Sequence, residues 1–190
     1  ASMTRHVEQC VEAAELDDVI LVGHSFSGRI AMTVAANQPT WLRALVLIAP
    51  SPPGPQSISE EEHRLQLDFD FSEAQARQFI DGASETPLAP VRYQQALEDA
   101  INANPAAWRA WPRTTYAEDW GETVAELPYP AWVLVGDKDP SLPPETQRDE
   151  VMPHLPQGKL EVFSGYGHLL PMEMPETLAK RLDAIAAEIR

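Results

Sequence analysis

The hydrophobic positions of this chain change period as it runs. From Met3 to Leu16, Val7, Cys10, Val11 and Ala14 recur at helical spacing and predict an amphipathic helix that ends at Asp17 and Asp18. Val19–Val22 is instead continuously apolar and closed by Gly23, the pattern of a strand buried on both faces in a parallel sheet. Ser27–Asn37 returns to helix, with Ile30, Ala31, Val34 and Ala35 on one side. Leu42–Ile48, Trp132–Val135 and Leu160–Phe163 predict three further strands, and Pro144–Val151 a short helix between the last two. A final helix from about Pro175 carries the stripe Leu178, Leu182, Ile185 and Ile189. Strands alternating with helices predict the α/β class, a mostly parallel sheet with flanking helices.

Residues 51–127 break that rhythm. They hold no buried-strand run, but Ser59 with Glu62, and Ser72 with Gln75, have capping-box spacing, and Val91–Asn102 reads as a helix stopped near Pro105. The segment is expected to be a helical cap inserted into a core made of residues 1–50 and 128–190. The acidic run Glu60–Glu62 fits a solvated first turn, where carboxylates face the positive end of the helix dipole. The 18 prolines, against 9 glycines, cluster between periodic segments and mark loops.

Length and charge narrow the function classes. At 190 residues the chain is one domain, or one core with a large insertion. Fourteen Lys and Arg against 29 Asp and Glu leave a formal charge of −15, which argues against nucleic-acid binding and against an acidic membrane surface. The longest apolar runs, Ala44–Pro50 and Ala131–Val135, fall far short of a membrane span. A lone cysteine, Cys10, precludes an internal disulfide and any Cys-rich metal site; on the first helix's apolar face it is expected to be a buried, inert thiol. No basic-then-apolar leader is in view, so the expected location is the cytoplasm. No phosphate loop or dinucleotide fingerprint occurs, so no cofactor is expected. His6, His63 and His154 lack metal-ligand spacing and are expected to be exposed surface histidines, leaving no metal site.

The first strand runs through Gly23-His24-Ser25-Phe26-Ser27-Gly28 straight into a helix, the setting of a nucleophile elbow. A sharp strand-to-helix turn lifts Ser25 out of the sheet end, and the residues two before and two after it must be small to pass each other. Gly23 fills the first position, and Ser27 replaces the usual glycine at the second. His24 is expected to pack or hydrogen-bond beside the elbow. A serine hydroxyl needs a base, and the base needs an orienting carboxylate. The third strand ends in Gly136-Asp137-Lys138-Asp139-Pro140, and the fourth is followed by Gly165-Tyr166-Gly167-His168. All three groups fall beyond the carboxyl ends of parallel strands, where open α/β sheets place their sites.

In these motifs, and in the order serine, acid, histidine, the chain resembles the α/β-hydrolase superfamily over essentially its whole length. Residues 51–127 match the helical cap of capped members. The resemblance implies Ser25 as nucleophile, His168 as base and Asp139 as acid. In the family the acid lies three residues past the glycine that ends the strand, which selects Asp139 over Asp137, then a turn former. It further implies an acyl-enzyme on an ester-type carbonyl of a small, mostly uncharged substrate, with the Phe26 backbone N–H as one oxyanion donor. Pocket walls are expected from Phe26, Trp108, Trp111, Leu169 and Met172, while two of the four aromatics Trp108, Trp111, Tyr116 and Trp120 are expected in the cap core. Other chemistries on the same triad stay open: a cofactor-free haloperoxidase or perhydrolase, a lactonase, a C–C hydrolase, a hydroxynitrile lyase. So does a non-catalytic ligand binder. A nucleophilic serine argues against a haloalkane dehalogenase, which uses aspartate there.

In the family the second oxyanion donor comes from a loop ahead of the first residue here, and the elbow strand lies mid-sheet. Four strands alone leave Val19–Val22 at an edge, and an apolar edge strand is rarely left bare. The chain is therefore expected to be the C-terminal portion of a longer protein, its sheet completed by a companion N-terminal fragment. A small-molecule substrate is the other partner implied, and a homo-oligomer is left open.

Overall fold

The structure, a computed structural model, describes residues 2–189. The four apolar runs form strands β1 (Val19–His24), β2 (Leu42–Ile48), β3 (Ala131–Gly136) and β4 (Gly158–Phe163), parallel throughout and in the spatial order β1-β2-β3-β4. Helix α1 (Ser2–Ala13) precedes β1, and α2 (Phe26–Ala36) joins β1 to β2. Between β2 and β3 lie α3 (Glu60–Leu67), α4 (Glu73–Ala83), α5 (Pro90–Ile101), α6 (Pro105–Arg113) and α7 (Gly121–Val124). A short helix, α8 (Pro144–Thr146), precedes β4, and α9 (Leu170–Glu173) and α10 (Pro175–Ile189) follow it.

Alternation along the inner strands divides the core in two. Leu45, Leu47 and Val133 face Met32 and Ala35 of α2, with Leu127, Val151 and Leu155. Ala44, Val46, Ile48, Trp132 and Leu134 face the other way, onto Leu170, Met174, Leu178 and Ile185 of the C-terminal helices. Only β2 and β3 are buried on both faces. β1 is an outer strand of this chain and Val22 is 45% exposed, so Val19–Val22 is not doubly buried as its sequence predicts. An apolar run records what a strand is suited to, not what covers it. The register sets His24 beside Ile48 and Gly136 beside Phe163, which brings the carboxyl ends of the strands to one edge.

Half of each capping box forms: the Ser59 and Ser72 hydroxyls accept from the N–H groups of Glu62 and Gln75 at 3.1 and 3.3 Å, while the Glu62 and Gln75 side chains accept from Ser141 and Gln66 and from Asp70 instead. The helical segment has its own core, with Phe69, Ala76, Ile80, Ala96 and Leu97 at its centre. Pro105 starts a helix instead of only stopping one. It stands first in α6, where its missing N–H is no loss, and the Asn104 side chain accepts from Ala106 and Ala107. Helix α8 widens into a π turn over Gln147–Val151, around a fully buried Gln147 whose amide donates to the Pro50 carbonyl at 3.1 Å.

Three placements correct the sequence reading. Cys10 is exposed, 3.8 Å from the His6 ring, because α1 buries Thr4 and Val11 instead. His63 and His154 are half-buried, each with a ring nitrogen on a backbone carbonyl: Pro112 at 2.5 Å and Ala125 at 2.6 Å. Among the described residues, no helix is long and apolar enough to cross a membrane.

Candidate active site

The turn from β1 into α2 forces Ser25 to φ 53° and ψ −126°, a backbone conformation that side-chain-bearing residues rarely hold. Its N–H donates to the Ile48 carbonyl at 2.9 Å, and its carbonyl accepts from Gly28 at 2.9 Å and Ser51 at 3.0 Å, so both flanks of the turn are pinned. At Gly23 a Cβ would stand 2.6 Å from the Ser27 carbonyl, which leaves room for glycine alone. Ser27 has a reason of its own. Its hydroxyl donates to the His24 carbonyl at 2.7 Å and accepts from the His24 N–H at 2.8 Å, closing the turn where glycine could not.

The structure brings Ser25, His168 and Asp139 together. His168 Nε2 lies 3.0 Å from Ser25 Oγ, and His168 Nδ1 lies 2.7 Å from Asp139 Oδ2. With Nδ1–H donated to the carboxylate, Nε2 is left to accept from the serine hydroxyl. Asp139 Oδ1 accepts from the N–H groups of Ser141 and Leu142 at 3.0 and 2.8 Å, and its side chain is fully buried. Burial pulls the Asp139 carboxyl upward. The hydrogen bond to His168, that ring's charge and the two backbone donors outweigh it and hold the group below its ordinary value. Asp137 turns elsewhere: it accepts from the Ser164 hydroxyl at 2.9 Å and the Gly165 N–H at 2.7 Å, bracing the turn after β4.

The loop that carries His168 is held from both sides. It crosses the end of β3 so closely that a Cβ on Gly136 would collide with the Tyr166 and Gly167 carbonyls. The His168 N–H donates to the Ala83 carbonyl at the end of α4, at 2.8 Å. Glu173 accepts from the N–H groups of Gly167 and Leu169 and, on the α4–α5 connection, from Glu85 and Thr86, at 2.9–3.1 Å. His24 lies under the loop, with its Nε2 2.9 Å from the His168 carbonyl and the two rings 4.9 Å apart. Burial, then the charge of His168, push the His24 imidazole down to about 4, so it stays neutral and donates to that carbonyl.

Ser25 and His168 open onto a cavity of about 710 Å³ roofed by the helical segment. Phe26, Trp108 and Trp111 line it. Phe26 packs on Trp111 at 4.9 Å, while Trp108 also stacks on Phe69 at 4.5 Å and so serves the helical core. Trp120 lies over the Arg29 guanidinium, and Tyr116 packs on His63. Leu169 and Met172 are not in the wall; they pack under the helices against the Phe69 and Ile80 cluster. Glu62 is no merely solvated first-turn residue: half-buried in the wall, it accepts from the Ser141 hydroxyl at 3.1 Å and the Gln66 amide at 3.2 Å. Ser51, Gln56 and Ser141 also line the cavity, and sequence reasoning passed over them. A signal existed, since Ser51 and Gln56 follow the carboxyl end of β2, on the sheet edge already expected to hold the site.

The sequence profile of the alpha/beta hydrolase family matches residues 2–181. The chain belongs to that family. Among relatives of this α/β-hydrolase, the 2-hydroxymuconate semialdehyde hydrolase of Pseudomonas sp. (strain CF600) is 26% identical over 192 residues, spanning 96% of this chain and 67% of that protein. Esterase YbfF of Escherichia coli (strain K12) is 21% identical over 192 residues, spanning 95% of this chain and 72% of its own. An esterase from Exiguobacterium antarcticum superimposes with a TM-score of 0.85 at 18% identity, covering 96% of this chain and 72% of that one, a likeness of fold.

Proposed function

We propose that this α/β-hydrolase is a serine hydrolase acting on an ester-type carbonyl of a small, mostly uncharged substrate, with residues 51–127 as its cap. The observation that carries the reading is the unbroken relay from Ser25 Oγ through His168 to a buried Asp139, at 3.0 and 2.7 Å. His168 takes the hydroxyl proton as Ser25 attacks the carbonyl carbon; the alcohol leaves with that proton, and water activated by His168 then releases the acid. Asp139 fixes the tautomer and stabilises the imidazolium. Phe26 stands first in α2, where a backbone N–H has no acceptor within its helix, and it serves the developing oxyanion. The likeness to an esterase supports this reading.

A fluorophosphonate probe should add once, on the peptide containing Ser25. Ser25→Ala should lose the adduct and at least about a thousandfold of ester turnover while keeping its circular dichroism. Labelling elsewhere, or turnover retained in Ser25→Ala, would overturn the assignment. The likeness to a semialdehyde hydrolase favours a second reading, cleavage of a C–C bond beside a ketone on the same relay. Product analysis on paired ester and diketone substrates separates the two.

A further inference from the structure

The backbone of His168 is held at both of its polar atoms. Its N–H donates to the Ala83 carbonyl at 2.8 Å, and its carbonyl accepts from His24 Nε2 at 2.9 Å. The N–H groups on either side of it, those of Gly167 and Leu169, both donate to Glu173 at 3.1 Å. Glu173 closes the short helix α9 and is half-buried. It also accepts from the N–H groups of Glu85 and Thr86 at 3.0 and 2.9 Å and from the Thr86 hydroxyl at 3.1 Å. Five donors from two distant segments therefore converge on one carboxylate, and among the described residues no Lys or Arg pairs with it. Hydrogen bonds to an ionised acceptor are about twice as strong as neutral ones, so this group fixes backbone firmly on both sides.

We infer that Glu173 is a positioning residue for the base, a role that deepens the hydrolase reading and rests on it. Glu173 does not line the cavity, so it acts through His168. The imidazole must meet two partners on different loops at once, Asp139 Oδ2 at 2.7 Å and Ser25 Oγ at 3.0 Å. A ring on two torsions can do so only from a fixed backbone, and a misplacement of about 1 Å can cost about a hundredfold in rate. The charge of Glu173 matters as much as its shape. Ionised, it offers acceptors at both oxygens; an amide keeps one and turns two donors towards backbone N–H groups, which cannot accept them. An amide oxygen kept towards Leu169 releases Glu85 and Thr86, and one kept towards Thr86 releases the histidine loop. Either way the tie between the loop and the α4–α5 connection is lost.

The test is Glu173→Gln. Glu173→Asp, which keeps both acceptor oxygens on a stem one methylene too short to span the two segments, carries it if the amide does not fold. In either variant kcat for p-nitrophenyl butanoate should fall about tenfold or more while KM stays within about twofold. Fluorophosphonate labelling of Ser25 should slow by a similar factor. The downfield proton resonance of the Nδ1–H that His168 shares with Asp139 should weaken or shift, with circular dichroism like the parent's. A kcat within about twofold of the parent's would overturn the inference. So would a fall in kcat that leaves the resonance in place, or a lowered urea midpoint alone, the marks of a brace that does not aim the ring. The resonance needs no substrate, so it separates this role from the chemistry. A parent that neither labels nor turns over, but whose resonance is lost in Glu173→Gln, would uphold the positioning role and reject the hydrolase. An active parent whose rate and resonance both survive the substitution would do the reverse.

Discussion

His24 gives the fold a pH dependence of its own. In the unfolded chain its imidazole takes up a proton as pH falls through its ordinary 6.5; in the folded chain it stays neutral down to about 4. Its contribution is therefore complete above pH 6.5 and is lost as pH falls from there towards 4, by about 3 kcal/mol at most. Urea unfolding of the parent should weaken between pH 7 and 5, and His24→Gln should flatten that slope. Asp139, held below its ordinary value, loses its contribution only as pH falls through the carboxylate range. Asp139→Asn should lower turnover by about a thousandfold or more and Asp137→Asn by far less, since only Asp139 reaches His168. The reverse ranking would exchange their roles. Ser25 and His168 stood out because each follows a strand end in the order serine, acid, histidine, whereas Asp137 and Asp139 both follow β3 and only the family resemblance chose between them. Glu173 was not legible, because a carboxylate's partners in a loop depend on what folds against it. Cys10 was misread because α1 carries small or apolar residues on more than one face, and spacing does not say which face has a neighbour.

Among the elements, α2 does more than carry the elbow. Its Arg29 is fully buried and donates to the carbonyls of Thr115, Pro53 and Glu118, all beyond β2, beneath the Trp120 ring at 4.1 Å. Burial lowers its pKa, and the charges of Glu118 and Asp119 oppose that shift. Arg29→Met would strand three carbonyls, so a loss of about 3 kcal/mol in urea unfolding is expected, with a rise in KM as the Phe26 and Trp111 wall loosens. A parent-like midpoint would mean that water replaces the guanidinium. The strands and the capped helices were readable because apolar runs and capping boxes are local signals. Helix α6 was missed because proline is a stop inside a helix and a start at its first position, and only the Asn104 cap distinguishes the two.

At the scale of the molecule, 29 acidic side chains outnumber 14 basic ones, and the excess negative charges repel one another. Screening should relieve that repulsion, so raising salt from about 20 to about 200 mM should lift the melting temperature by a few degrees. A falling melting temperature would show that the ion pairs outweigh the excess charge. The fold also couples access to chemistry. The peptide of His168 hangs from Ala83, and Glu173 clasps the histidine loop and the α4–α5 connection in one carboxylate. Any motion that lifts this part of the roof must either break those bonds or draw the histidine loop with it. The base is thus set by the roof as well as by the strand end that carries it, and a change at the end of α4 reaches the relay through one peptide and one carboxylate.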